Sequence, residues 1–265
     1  MLRLMLNSKS SLLAHQQKMD NISNNISNID TTAYKKTDVN FEDLVYDTLK
    51  RKGYPVSRDG KTGYGLQNGT GIKIGIPIKN NRQGSLMKTD IKTDLAIDGG
   101  GYFEIIMNDG SKAYTRDGSF RVDLHGHLVD ANGNYVNVVD KKGKTVDIRN
   151  FDYKLTNNNV FINEAGEVYA RGENLDKKIG SIVIKDFIGN DALIPISGNL
   201  NIPKKGAQSI NASGSKIYQG FLEHSNVDIE EEMVDMIVTQ RAFQLNSSSL
   251  KTADEMWSLI NNLKK

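Results

Sequence analysis

Apolar and polar positions repeat with two different periods along this chain, and the changes of period divide it into three parts. Near the start Met5, Leu12, Met19 and Ile26 fall every seventh residue, with Ile22 and Ile29 three places after the last two. That is the a/d spacing of a coiled-coil seam, and it predicts a long amphipathic helix. No glycine or proline interrupts residues 1–50, and the pattern stops at Asp30-Thr31-Thr32, a cluster that favours a turn or cap. Phe41 to Leu49 reads as a second short helix or an extended arm.

From about Gly53 to Gly220 glycines arrive and the period drops to two. Gly71-Ile72-Lys73-Ile74-Gly75-Ile76-Pro77-Ile78 alternates as a half-buried strand does, and short runs follow at Tyr102–Met107, Phe120–Val122, Val136–Val139, Val160–Ile162 and Ile182–Ile184. Asn108-Asp109-Gly110, Asp117-Gly118, Asn132-Gly133 and Ala165-Gly166 lie between them as turn signals. Short strands at such spacing predict an antiparallel sandwich or barrel; no helix-length amphipathic segment separates them, which argues against a parallel α/β sheet.

From Asn226 onward the helical period returns. Ile229, Met236, Phe243, Leu250 and Trp257 fall every seventh residue, with Ala253 and Ile260 three places after the last two. Ser225 or Asp228 is placed to cap this helix, Glu230, Glu231 and Glu232 load its first turn, and Lys264 and Lys265 close its end, all favourable to the helix dipole. The expected fold class is α+β: N- and C-terminal helices paired as a coiled coil, enclosing a mainly antiparallel β domain. The expected divisions are residues 1–50, an assembly helix and arm; 51–220, a β-rich domain; and 221–265, a second assembly helix.

Composition narrows the function classes. Thirty-four Lys and Arg against 32 Asp and Glu leave a formal charge of +2, too even for a general polyanion binder, so no nucleic-acid partner is expected. The chain has no cysteine, which removes disulfides, thiolate metal sites and cysteine nucleophiles but leaves the compartment open. No run approaches the ~18 apolar residues of a membrane span, so no membrane insertion is expected. The opening MLRLMLNSKSSLLA breaks at Asn7 and is poor material for a cleaved signal peptide.

Catalytic signatures fail one after another. Gly60-Lys61-Thr62 and Gly143-Lys144-Thr145 carry the end of a phosphate-binding loop, but Pro55 and Val138 stand where its first glycine belongs. Gly63-Tyr64-Gly65 through Gly69 lacks dinucleotide spacing, and no nucleophile elbow occurs. His125-Gly126-His127, with Asp123 and Asp130 nearby, reads as a polar hairpin turn rather than a metal site, because two histidines leave the ligand set incomplete. Asp117 and Asp123 near Arg116 read as ordinary hairpin charges. No catalytic residue, cofactor or metal is expected. The competing class is a sugar-binding or wall-degrading β domain on a helical stalk, for which Glu104, Asp109 and Asp117 are the nearest acids.

The two helical ends carry the functional signal. Asn21, Asn24, Asn25 and Asn28 stand at i, i+3, i+4 and i+7, an amide stripe beside the isoleucines, and Gln240, Gln244, Ser247 and Lys251 make a similar stripe on the second helix. A helix facing only water usually places Glu and Lys there; amides suit a face that meets protein and fixes register, although a solvated Asn-rich stalk is the plainer alternative. A lone terminal helix of this length is marginal, since ordering each residue costs ~1–2 kcal/mol against ~1.5–3 kcal/mol for each large apolar side chain buried. The candidate assembly surface is therefore Met5, Leu12, Met19, Asn21, Ile22, Asn24, Asn25, Ile26, Asn28 and Ile29 with Ile229, Met236, Gln240, Phe243, Gln244, Leu250, Trp257 and Ile260.

These residues also carry a resemblance. Asn24-Asn25-Ile26-Ser27-Asn28 running into Thr31-Thr32-Ala33-Tyr34-Lys35-Lys36 is similar to the signature of the flagellar basal-body rod and hook family, with Ser23 where Ala is usual and Ala33 where Gly is usual. Phe41-Glu42-Asp43-Leu44, Gly65-Leu66-Gln67-Asn68-Gly69-Thr70-Gly71 and Ala113-Tyr114-Thr115-Arg116-Asp117-Gly118-Ser119-Phe120 continue it. So do Gly220-Phe221-Leu222-Glu223, Ser225-Asn226-Val227 and Met233-Val234 through Gln240-Arg241-Ala242-Phe243. The middle blocks most resemble the distal-rod members; residues 174–215 are less typical, so proximal rod and hook-type members stay open. The resemblance implies a non-enzymatic axial subunit of the basal body, exported uncleaved by the flagellar type III apparatus. It implies polymerisation with copies of itself and contact with neighbouring rod and hook subunits. Residues 50–65, with Tyr54, Pro55 and Tyr64, would brace neighbouring subunits, or form a loose surface loop.

Overall fold

The computed structural model describes residues 2–44, 47–48, 67–68, 71–140, 145, 155–157, 159–171, 176–189, 192–196, 199–212 and 214–263. The proposed brace at 50–65 and the terminal Lys264 and Lys265 lie outside them. A helix α1 (Leu2–Ser27) opens the chain, a helix α2 (Ile229–Asn262) closes it, and mainly antiparallel β structure lies between them in sequence. The chain divides into two compact units that do not follow chain order. One comprises residues 1–27, 37–80 and 228–265; the other comprises 28–36 and 81–227.

In the helical unit, α1 and α2 pack together, and an arm of short antiparallel pairs accompanies them. Thr37–Asp38 pairs with Ile78–Lys79, Phe41–Asp43 with Ile72–Ile74, and Asp47–Thr48 with Gln67–Asn68. Of the two expectations for 41–49, the extended one holds for the described residues. The alternation at 71–78 does not give one strand: it breaks at Gly75-Ile76-Pro77, where proline lacks the donor a ladder needs and Ile76 is exposed. Asp228 caps α2, its side chain accepting from the amides of Glu230 and Glu231. Ser225 instead accepts from the Val227 amide.

The β unit is built on a nine-stranded antiparallel sheet. Its path runs through Arg121–Val122, Leu128–Val129, Tyr135–Val136, Tyr102–Ile106, Lys112–Thr115, Asn201–Pro203 and Leu193–Pro195. Ile184–Phe187 joins off that path and carries Ser209–Asn211. A four-stranded sheet runs Val138–Val139, Asp176–Ile182, Glu167–Arg171, Val160–Ile162. Phe103, Ile105, Phe120, Leu95, Ile97 and Ile217 are almost wholly buried, with the Phe103 and Phe120 rings edge to face at 5.2 Å. Gly118 is required by this packing: a Cβ there would sit 1.6 Å from the Leu95 carbonyl oxygen.

Two apolar runs read as single strands are each divided between the sheets. The run at 136–139 breaks at Asn137, whose amide N–H and side-chain Nδ2 both donate to Glu104, before Val138 joins the smaller sheet. The run at 182–184 breaks at Val183, whose carbonyl accepts from the Glu104 amide. Glu104 is thus a buried organiser of the crossing, paired also with Lys112 at 2.7 Å.

Candidate assembly interface

The amide stripe on α1 does not act as one face. Asn25 is 1% exposed and works as a three-way clasp. Its Nδ2 donates to the Glu232 carboxylate of α2 at 3.1 Å and to the Thr37 carbonyl at 3.1 Å, while its Oδ1 accepts from the Thr37 amide at 3.1 Å. To the arm, the side chain behaves as a neighbouring peptide group would; to α2, it offers a donor to a buried carboxylate. Glu232 is equally buried, at 1%. Lys18 lies 3.8 Å from Asp235 and 5.7 Å above the Phe41 ring, which also meets His15 edge to face. Burial, then the Lys18 charge, pushes the His15 imidazole below its ordinary pKa. Asn21, Ile22 and Asn40 complete a polar groove of about 290 Å³ beside the clasp.

The seam positions named from sequence divide by burial. Ile22 is buried at 3%, and Met5, Leu12, Met19, Asn21 and Ile26 are half-buried. Asn24 is exposed, while Asn28 and Ile29 lie past the end of α1, where Asn28 accepts from Thr31. On α2, Met236, Phe243 and Leu250 are half-buried, whereas Ile229, Gln240, Gln244, Trp257 and Ile260 are exposed. Buried residues of α1 are Ser8, Ala14, Ile22 and Asn25, and those of α2 are Glu232, Thr239 and Ala253. The three on α2 are spaced by multiples of seven, and of these Ala253 was named from the apolar spacing while Glu232 and Thr239 were not.

A second polar centre, missed from sequence, organises the β unit. The Glu223 side chain is fully buried and takes two cations, Lys35 on one oxygen and Arg116 on the other at 3.2 Å. The first oxygen also accepts from the Gly84 amide at 3.0 Å. Around it the Ala33 amide donates to the Glu223 carbonyl, the Lys36 amide to Asn226 Oδ1, and Asn226 Nδ2 to the Arg82 carbonyl. Burial lowers the Lys35 pKa first, and the Glu223 carboxylate works against that by favouring the ammonium form. The available signal was in the blocks themselves: Lys35, Arg116 and Glu223 belong to three separate stretches that carry the resemblance.

The acids named for a catalytic alternative are each spent locally. Glu104 is buried against Asn137 and Lys112, Asp109 accepts from Ser111, and Asp117 accepts from the Ser119 amide. His125 and His127 flank Gly126 in a tight hairpin closed by Asp123. No group of three potential metal ligands occurs among the described residues.

Known proteins match this chain region by region. A family model described as flagella basal body rod protein matches residues 5–35, one described as flagellar hook protein FlgE/F/G D1 domain matches 96–170, and one described as flagellar basal body rod FlgEFG protein C-terminal matches 218–263. The flagellar basal-body rod protein FlgG of Borreliella burgdorferi is 37% identical over 275 residues, covering all of both chains. That of Bacillus subtilis is 35% identical over 275 residues, again over both whole chains. The chain belongs to the flagellar basal-body rod protein family. Bacillus subtilis also supplies a 34% identical relative, the flagellar hook-basal body complex protein FlhP, matched along its full length. This rod-family chain is a structural subunit of the basal body, and no helix among its described residues is long and apolar enough to cross a membrane. The N-terminal match takes in Asn25 and Lys35, and the C-terminal match takes in Glu223 and Glu232, so both polar centres fall within the matched stretches.

Proposed function

We propose that this chain is a distal-rod subunit that polymerises through its terminal helices and transmits torque by shape and stacking, without catalysis. The observation that carries the reading is the unburied apolar surface of α2. Met233, Val234, Ile237, Val238, Leu245 and Leu259 are 52–71% exposed on a helix whose other side already packs on α1. An isolated soluble helix pair would normally cover such a face with charge; a subunit of a polymer core leaves it for its neighbours. The Asn25–Glu232 clasp and the heptad spacing of Glu232, Thr239 and Ala253 support coiled-coil pairing of α1 and α2 within each copy. The partners are then copies of the same chain and adjoining rod and hook subunits, reached through the flagellar type III export apparatus.

Deleting residues 229–265 should leave the chain exported but absent from purified basal bodies, with its β-type circular dichroism retained. Truncated chain recovered in rods of normal length would refute the reading.

A further inference from the structure

Where glycine follows Asp or Asn, its nitrogen can attack the preceding side-chain carbonyl carbon, because no Cβ stands in the way. The new C–N bond closes a five-membered succinimide, and the displaced group leaves with the N–H proton, as water from Asp or as ammonia from Asn. Water then reopens the ring at either carbonyl. Opening at the backbone carbonyl leaves isoaspartate, whose main chain runs through one extra carbon.

Four such steps lie among the described residues of the β unit: Asp98-Gly99, Asp109-Gly110, Asp117-Gly118 and Asn132-Gly133. Three are held by their own turns. The Gly110 amide donates to the Met107 carbonyl at 2.9 Å, and the Gly133 amide to the Asp130 carbonyl at 3.1 Å. Gly118 is buried against Leu95, and the Asp117 carboxylate accepts from the Ser119 amide at 3.0 Å.

Asp98-Gly99 differs. Both residues are exposed, Gly99 stands at φ 108°, and the acceptor for its amide comes from outside the turn, Gln83 Oε1 at 3.0 Å. Gln83 Nε2 donates to the Ile97 carbonyl at 2.9 Å, so one side-chain amide spans Asp98 and holds the peptide groups on both sides of it. Arg116 fixes the far end of the same glycine, donating to its carbonyl at 2.7 Å. To reach the Asp98 side chain, the Gly99 nitrogen must turn with its peptide and give up the Gln83 bond.

We infer that Asp98 is a latent isoaspartate site and that Gln83 guards it by holding the Gly99 nitrogen away from the Asp98 side chain. Conversion would insert a backbone carbon at the end of the strand Leu95–Asp98 and misalign its ladder with Lys216–Gln219.

Purified full-length chain is aged in mildly acidic and in neutral buffer, and isoaspartate at residues 98 and 132 is counted by fragmenting the separated peptides. Gln83 is exposed, so Gln83→Ala removes nothing from the core. It should raise isoaspartate at 98 about fivefold, the factor that one hydrogen bond of ordinary net strength supplies, and leave Asn132 at its natural rate. Gln83→Glu keeps an acceptor for the Gly99 amide and loses only the donor to Ile97, so it should age as the natural chain does. Equal ageing of Q83A and the natural chain, or of Q83A and Q83E, overturns the inference. So does acceleration at both sites, which reports general loosening instead of a guard. Should the variants be recovered unfolded by circular dichroism, the natural chain decides. It must form isoaspartate at 98 more slowly when folded than in urea, and equal rates overturn the guard.

Discussion

Replacing Glu223 by glutamine tests how far one buried carboxylate holds the β unit together. The natural side chain is fully buried, with Lys35 and Arg116 only 12% and 10% exposed. Glutamine keeps the shape and one acceptor oxygen but leaves two facing cations without a counter-charge. Removing one partner from a buried ion pair costs about 3–5 kcal/mol. For a unit of roughly 150 residues each kcal/mol moves the midpoint by about 2–4 °C, so E223Q should melt lower by about 10 °C. The pH dependence gives a second readout. Burial already favours neutral Lys35, and the lost carboxylate was the chief opposing influence, so its folded-state pKa falls further in the variant. Between that lowered pKa and the unfolded value, the unfolded chain binds more protons, and stability rises with pH. The deficit of E223Q should therefore be full below that lowered pKa and shrink as pH rises toward the ordinary lysine value. Thermal unfolding followed by near-ultraviolet circular dichroism at several pH values measures both. A midpoint within about 2 °C of the natural chain, or effects of E223Q and Lys35→Met that simply add, would refute the buried-pair reasoning.

Ala33 sits at φ 57°, the left-handed region, where the related signature usually has glycine. Ala33→Gly should relieve strain of about 1 kcal/mol, partly offset by the greater freedom of the unfolded chain, and raise the midpoint by a few degrees; an unchanged or lower midpoint contradicts this. Lys178, Tyr169 and Asn163 hold the Glu167 carboxyl down to about 2 from an ordinary 4.5. The unfolded chain binds the extra proton between those values, so the contribution of Glu167 is complete above pH 4.5 and is lost as pH falls through about 2. Acid titration of stability should be flatter over that window in Glu167→Gln, and an identical slope would count against the network.

How much was legible follows the length of each pattern. Long periodic runs survive translation into structure, which is why both helices, and Asp228 as one of two cap candidates, could be read from residues. Short runs were misjudged where the chain changes sheets: Ile182–Ile184 is apolar throughout and Asn137 reads as the outward position of an alternating strand, while the backbone partners switch at Val183 and Asn137. Only long-range pairing with Glu104 reveals that. Of the positions chosen from the heptads and the amide stripe, Ile22 and Asn25 are buried, whereas the burial of Ser8, Ala14, Glu232 and Thr239 was not legible, because small and polar residues do not stand out in a hydropathy pattern. Glu223 was illegible for another reason. A carboxylate reads as surface unless its two cations, distant in sequence, are known to converge on it.

The clasp at Asn25 has a consequence for timing. Its acceptor on α2 lies 207 positions downstream, so during synthesis this contact of the first helix waits for nearly the whole polypeptide to emerge. Until then the Asn25 amide lacks the Glu232 carboxylate, and α1 has only the arm to pack against. Completion of the helical unit is thereby coupled to arrival of the C-terminus, and a chain cut short near its end would leave its beginning unfinished.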